Sequence, residues 1–376
     1  MIVRLENLVS VCLGGLSVLA SYLFFTERTV VKDLNPENKV KDKRLTHLRQ
    51  IFLTANLLAL LADWLQGPYV HRLYSYYGHS EENIALLFLT GYVSSCVFGS
   101  LSGPLADIFG RKRMALVFCL VYGICCLTKI SGNLQILLIG RIFGGISTSC
   151  LHSVFESWYV SEHKNNSFDS GEISNTLSLL ALINSNLAIF AGILADVLVR
   201  DLEFAPTAPF LLAIPILTLS FFVIGIFWKE NYGDRDINVL QTYKQGYKTI
   251  ISNSNILRIG AVQALVESSM FTFVYLWTPT LSAGGTAAPL GRIFASFMVS
   301  IMVGSFIFRR LIKMISAARI LSISTLSFFL SNLGATVFTD LPNICFICFL
   351  GIELSLGIYF PAIGTLRSTF IPGQQR

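Results

Sequence analysis

Four ionisable residues, Asp63, Arg141, Glu267 and Glu353, stand inside long apolar stretches of this chain. A charge at the centre of a bilayer costs about 2.5–3.5 kcal/mol by insertion scales, so such residues usually bind something, pair with one another or pass a proton. Gln66, three residues beyond Asp63, adds a neutral donor and acceptor. Covalent chemistry has no comparable footing. The sequence contains no H-E-x-x-H, no G-x-x-x-x-G-K-[ST] loop and no G-x-S-x-G elbow. Cys345 and Cys348 make one C-x-x-C among Phe346, Ile347 and Phe349, with no second pair to complete a zinc or redox site. No cofactor or metal is expected, and the chain does not read as an enzyme.

The elements that must position these residues are membrane helices. Of the 376 residues, 53% are hydrophobic and 13% charged, about half the 25% charged share of a soluble domain. Mean hydropathy is +0.63 over the whole chain. Composition therefore excludes a soluble enzyme, a disordered regulator and a nucleic-acid-binding module. A helix needs about 20 apolar residues to cross the hydrocarbon core. Eleven such runs are predicted, at about 8–25, 51–70, 84–106, 114–131, 134–158, 176–199, 206–228, 256–280, 290–312, 319–338 and 343–366. The fold class is an all-α polytopic bundle, because lipid offers unpaired backbone groups no partner. The first run reads as a retained helix rather than a signal peptide, since Glu6 neutralises Arg4 and the run exceeds a usual h-region.

Orientation follows from the basic residues. Connections after alternate runs collect 22 of the 28 Lys and Arg residues, against five on the opposite side and Arg141 within a helix. By the positive-inside rule the rich side is cytoplasmic. The N-terminus is then outside and the C-terminus inside, and the net charge of +6 reports topology rather than a nucleic-acid partner. The expected organisation is an extra helix and loop over 1–50, a six-helix half over 51–228, a cytoplasmic loop over 229–255 and a four-helix portion over 256–376.

Between the third and fourth runs stands Gly103-Pro104-Leu105-Ala106-Asp107-Ile108-Phe109-Gly110-Arg111-Lys112-Arg113. It resembles the G-x-L-a-D-r-x-G-r-k-r signature of the major facilitator superfamily. Arg141-Ile142-Phe143-Gly144-Gly145 is similar to that superfamily's R-x-x-x-G pattern in its fourth helix. A closer resemblance, to the molybdate-anion transporter family, covers most of the chain after residue 50. It is carried by Leu61 to Tyr69, Phe155-Glu156-Ser157-Trp158-Tyr159, Lys229-Glu230-Asn231-Tyr232, Gln263 to Ser268, Leu276-Trp277-Thr278-Pro279 and Gly357 to Pro361. The superfamily has twelve core helices and this chain stops at Arg376, just past the tenth, so it is expected to be C-terminally truncated relative to the family.

The resemblance implies uptake of molybdate, a tetrahedral dianion, across the plasma membrane. It assigns Asp63, Arg141, Glu267 and Glu353 to core helices one, four, seven and ten, which surround the superfamily's central cavity. Gln66 joins this set. Tyr69, Trp277 and Tyr359, on the same helices, are candidate donors to oxyanion oxygens. Gly103, Asp107, Gly110 and Arg111 are expected to form a cytoplasmic gate, with Glu156 clasping Arg111. Asp196 is expected near a helix end, facing headgroups or loop charges. Three acids to one base suits proton coupling better than dianion binding, and it leaves two rivals open: a carrier of another small organic solute, and a non-transporting truncated regulator. The expected partners are an oxyanion, the lipid bilayer and protons.

Overall fold

The computed structural model describes residues 2–32, 43–233, 239–282 and 288–370. Lys39, Lys41, Arg235 and Arg376, part of the basic-residue tally, lie outside them. Every regular element among the described residues is helical: α1 (Ile2–Lys32), α2 (Lys43–Trp64), α3 (Val70–Tyr76), α4 (Glu81–Phe109), α5 (Arg111–Thr128), α6 (Leu134–Asn165), α7 (Gly171–Asp196), α8 (Ala208–Phe227), α9 (Val239–Ser252), α10 (Ser254–Ser282), α11 (Leu290–Leu311), α12 (Ala317–Val337) and α13 (Pro342–Phe370). Among the described residues, ten spans are long and apolar enough to cross a membrane. The run predicted at 114–131 falls on α5, whose 18 residues begin with Arg111, Lys112 and Arg113, so charge in its first turn keeps it from joining those ten. The polar stretch after α8 is not all loop, since it contains α9.

Local chemistry sets the helix ends. Ser80 caps α4 by accepting from the Asn83 backbone N–H, and Asn133 caps α6 by accepting from the Gln135 N–H at 2.9 Å. The helix predicted at 51–70 stops at Trp64, because Gly67 and Pro68 open a short 3₁₀ turn before α3 begins.

The chain divides into two compact units, residues 38–237 and residues 1–37 with 238–376. In the first, α6 packs against α4 and α5, while α8 packs against α2 and α5. Its core is aromatic: Phe52 stacks on Tyr159, Phe118 meets Phe155 edge-on, and the Trp158 and Trp228 rings stack 3.8 Å apart. In the second, α13 packs against α10, α11 and α12. The N-terminal helix belongs to this unit. A stripe of Leu5, Val9, Ala20 and Leu23 is buried as α1 packs along α11, and Arg310 donates to Thr26 Oγ1 at 2.9 Å. The other face of α1, with Val11, Val18, Tyr22 and Phe25, stays open, as a lipid-facing surface should.

Both units build one crossing the same way. Ser94 of α4 donates to the Ile142 carbonyl of α6 at 2.8 Å, and Ser300 of α11 donates to the Leu350 carbonyl of α13 at 2.8 Å. Small residues let the backbones meet, which drives helix association in lipid. A Cβ on Gly145 would stand 2.7 Å from the Gly91 carbonyl oxygen, and one on Gly304 would stand 2.3 Å from that of Leu354. Gly304→Ala is therefore expected to lower stability by about 1–3 kcal/mol through overpacking. Gly123→Ala, where the added carbon meets nothing within 4 Å, should leave it near wild type. Thermal unfolding of the detergent-solubilised protein checks the pair.

Candidate functional site

The turn between α4 and α5 is built around Gly110, whose φ of +104° suits glycine. A side chain there would also strike the Glu230 carboxylate. That carboxylate sits on the N-terminus of α5, accepting from the Lys112 N–H at 2.9 Å and the Arg113 N–H at 3.2 Å. An anion at a helix start satisfies orphan donors and meets the positive end of the dipole. Glu230→Gln keeps the shape and removes the charge, and is expected to cost about 1 kcal/mol. A thermal midpoint unchanged from wild type would remove Glu230 from this role.

The segment Trp228–Gly233 straps across the same turn. Arg111 bonds Asp107 Oδ1 at 2.7 Å, and its backbone N–H donates to the Asn231 carbonyl at 3.0 Å. The Asn231 amide donates to the Trp158 carbonyl and to Glu162 Oε1, both at 3.2 Å. The Trp158 indole donates to the Lys229 carbonyl at 2.8 Å, and the Gly233 N–H to the Asp107 carbonyl at 3.2 Å. So the structure brings together Asp107, Gly110 and Arg111 at one turn, while Gly103 lies two helical turns earlier inside α4, with nothing within 4 Å of where its Cβ would stand. Glu156 is exposed on α6 and makes no hydrogen bond or ion pair with Arg111 among the described residues. The α6 acid tied into this cluster is Glu162, through Asn231. Glu230, Asn231 and Glu162 were not singled out as site residues from the sequence. The only signal was that Glu230 and Asn231 fell within a stretch shared with the family.

The buried polar groups of the same unit gather toward the opposite ends of its helices. Asp63 accepts from the Tyr122 hydroxyl at 2.5 Å. Gln66 is buried, its amide turned back to the Ala62 carbonyl at 3.0 Å. Tyr69 is also buried, and its hydroxyl donates to Asp196 Oδ1 at 3.2 Å. Asp196 is thus fully buried rather than facing headgroups, because the 3₁₀ turn at Gly67–Tyr69 carries Tyr69 against the end of α7. Arg141 lies 4.6 Å from the Phe88 ring centroid and 5.5 Å from that of Tyr74, with its Nε buried and unpartnered among the described residues. No ion pair joins it to Asp63. Lys129 is 2% exposed and donates to the Tyr74 hydroxyl at 2.9 Å. It lies just past α5, where the chain turns inward among aromatic rings.

The other unit holds the remaining candidates. Glu353 of α13 is 6% exposed with no hydrogen-bond partner among the described residues. Glu267 of α10 accepts from the Gln263 amide at 2.8 Å and lies within electrostatic reach of Tyr359. The Tyr359 hydroxyl is buried and unpartnered among the described residues, so it is a free donor. Trp277 is a core ring, edge-on to Phe297 at 5.4 Å. Cys345 donates its thiol to the Phe338 carbonyl at 3.1 Å, and neither cysteine of the C-x-x-C is bonded to the other.

Residues 8–346 match the family described as "Sugar-tranasporters, 12 TM". A protein of Takifugu rubripes named molybdate-anion transporter is 37% identical over 86% of this chain and 74% of its own length. One of the same name from Danio rerio is 35% identical over 97% of this chain and 82% of its own length. Among solved structures, the nucleoside transporter NupG superposes with a TM-score of 0.63 at 12% identity, covering 85% of this chain and 82% of that one. The inward-open xylose transporter XylE from E. coli gives 0.64 at 13% identity, covering 87% and 84%. These two speak for the fold alone. With its all-helical architecture, its multiple apolar spans and these relatives, the chain belongs to the molybdate-anion transporter family of the major facilitator superfamily, as a multi-pass membrane transporter and not an enzyme.

Proposed function

We propose that this transporter imports molybdate, or a similar tetrahedral oxyanion, across the plasma membrane by alternating access. The observation that carries the reading is Arg141, a guanidinium set among aromatic rings with a buried, unpartnered Nε and no acid paired to it among the described residues. A permanent cation left without a counter-ion inside an apolar helix suits an anion that comes and goes. The names of the relatives support the same substrate class. Glu353, buried without a partner, and Asp63, held by one tyrosine, serve as proton-coupling groups. Inward proton flow supplies the energy to bring a dianion in against the membrane potential. The Asp107–Arg111 turn with its Trp228–Gly233 strap acts as the cytoplasmic gate of its unit, and the distribution of basic residues supports an N-terminus outside and a C-terminus inside.

Three acids, Asp63, Glu267 and Glu353, also favour a second reading, a neutral or cationic organic solute. Uptake of labelled molybdate by cells expressing the chain separates the two. Competition by tungstate and sulfate, with loss of uptake when the proton gradient is collapsed, is the expected result. Competition by nucleosides or sugars without effect of the oxyanions would overturn the oxyanion reading.

A further inference from the structure

We propose that Lys129, Tyr74 and Arg141 form one dibasic site for a doubly charged tetrahedral oxyanion, with Lys129 as its second cation. The inference rests on the oxyanion reading and deepens it, naming the group that sets the preference for two negative charges.

Both cations share one ring. Lys129 Nζ stands 5.3 Å from the Tyr74 ring centroid and Arg141 Cζ stands 5.5 Å from it. Phe88 adds a second face under the guanidinium at 4.6 Å, and its own ring meets Tyr74 edge-on. Four elements converge to make this: Tyr74 from α3, Phe88 from α4, Lys129 just past α5 and Arg141 from α6. The Tyr77 hydroxyl fixes the turn by donating to the Lys129 carbonyl at 2.6 Å.

The charges do not balance. An ammonium has three N–H donors, and Lys129 gives one of them to the Tyr74 hydroxyl. No acid forms an ion pair with Lys129 or Arg141 among the described residues. Glu81, the acid at the start of α4, is bonded to His71 at 3.2 Å. Two like charges held against the same ring repel each other, and a ligand carrying two negative charges relieves both at once. A guanidinium fork and a compact ammonium together supply donors from separate directions, as a tetrahedral anion requires.

The competing account treats Lys129 as a structural charge at the C-terminal end of α5, where a cation opposes the helix dipole. That would explain a basic residue at the position but not its burial against Tyr74, since an exposed lysine would serve as well.

The test measures anion-dependent thermal stability of the full chain in detergent, using molybdate, tungstate and sulfate as dianions and perrhenate as a tetrahedral monoanion. Molybdate is expected to protect the wild type with a dissociation constant at least tenfold lower than that of the Lys129→Gln variant. The same variant should bind perrhenate almost as the wild type does, so that the preference for a dianion collapses. Tyr74→Phe, which keeps the charge but frees the ammonium, should weaken molybdate several-fold, and Lys129→Arg should largely retain it. If Lys129→Gln does not fold, Tyr74→Phe decides: an unchanged molybdate constant there overturns the proposal. A lowered thermal midpoint in Lys129→Gln with an unchanged molybdate constant makes Lys129 a structural charge only and also overturns it, leaving the oxyanion reading intact. If none of the four anions protects the wild type, the oxyanion reading itself falls, and the dibasic site with it.

Discussion

Arg141→Gln is expected to abolish molybdate uptake while the protein still reaches the membrane. The glutamine side chain is uncharged and shorter in reach, so neither the coulombic attraction nor the fork of donors survives. Arg141→Lys keeps the charge but is expected to lower uptake at least tenfold, because a point charge cannot reproduce a planar guanidinium stacked on Phe88. Surface labelling separates loss of transport from loss of protein, and molybdate protection against unfolding separates binding from translocation. The rival account of Arg141 is an internal ion pair with Asp63. In the structure Asp63 is engaged by Tyr122, so adding Asp63→Asn to Arg141→Gln should not restore uptake. Recovery in that double variant, or molybdate protection retained in Arg141→Gln, would take Arg141 out of the binding site.

Charge reversal at Arg111 is the second change with a large expected effect. Arg111→Glu sets a carboxylate where the guanidinium now meets Asp107 at 2.7 Å, and it removes the donor that reaches the Asn231 side chain. Hydrogen bonds to charged groups are worth about 1.5–3 kcal/mol each, and two carboxylates left facing each other add repulsion. The Trp228–Gly233 strap should loosen, because Asn231 is held on one side by Arg111 and on the other by α6. Uptake is expected to fall at least tenfold, with faster proteolysis near residue 231 as the structural readout. Normal uptake and an unchanged cleavage pattern in Arg111→Glu would show that the turn and its strap are not a working gate.

Much of the architecture is legible in the amino-acid sequence. Apolar runs of membrane length and the all-α class follow from hydropathy alone, since a helix in lipid satisfies its own backbone and needs no distant partner, and the turn at Gly103–Arg113 is legible through its resemblance to the superfamily signature. The ionisable residues are equally visible, because Asp63, Arg141, Glu267 and Glu353 interrupt runs that are otherwise apolar. What those residues touch is not. Asp63 meeting Tyr122, Tyr69 meeting Asp196 and Lys129 meeting Tyr74 join positions 55 to 127 residues apart. Helix periodicity constrains neighbours three and four residues away and carries no term for such separations.

The same limit explains the gate. From sequence, Glu156 is the acid expected beside Arg111, yet Glu162 is the one drawn into the cluster, and only through Asn231. The two glutamates share one helix but lie on faces about 120° apart, given 3.6 residues per turn. Which face looks toward α5 depends on how α6 is rotated against its neighbours, set by the crossing at Gly145 and by the stack of Trp158 on Trp228. Likewise α1 is recognisable as one more apolar helix, but its seat along α11 requires the facing stripe on both helices. Composition and period determined that this chain is a bundle of membrane helices with a handful of costly charges inside. Packing decided which charges have partners, because in lipid the rotation and register of a helix are set by the small residues and aromatic contacts of its neighbours rather than by its own hydropathy.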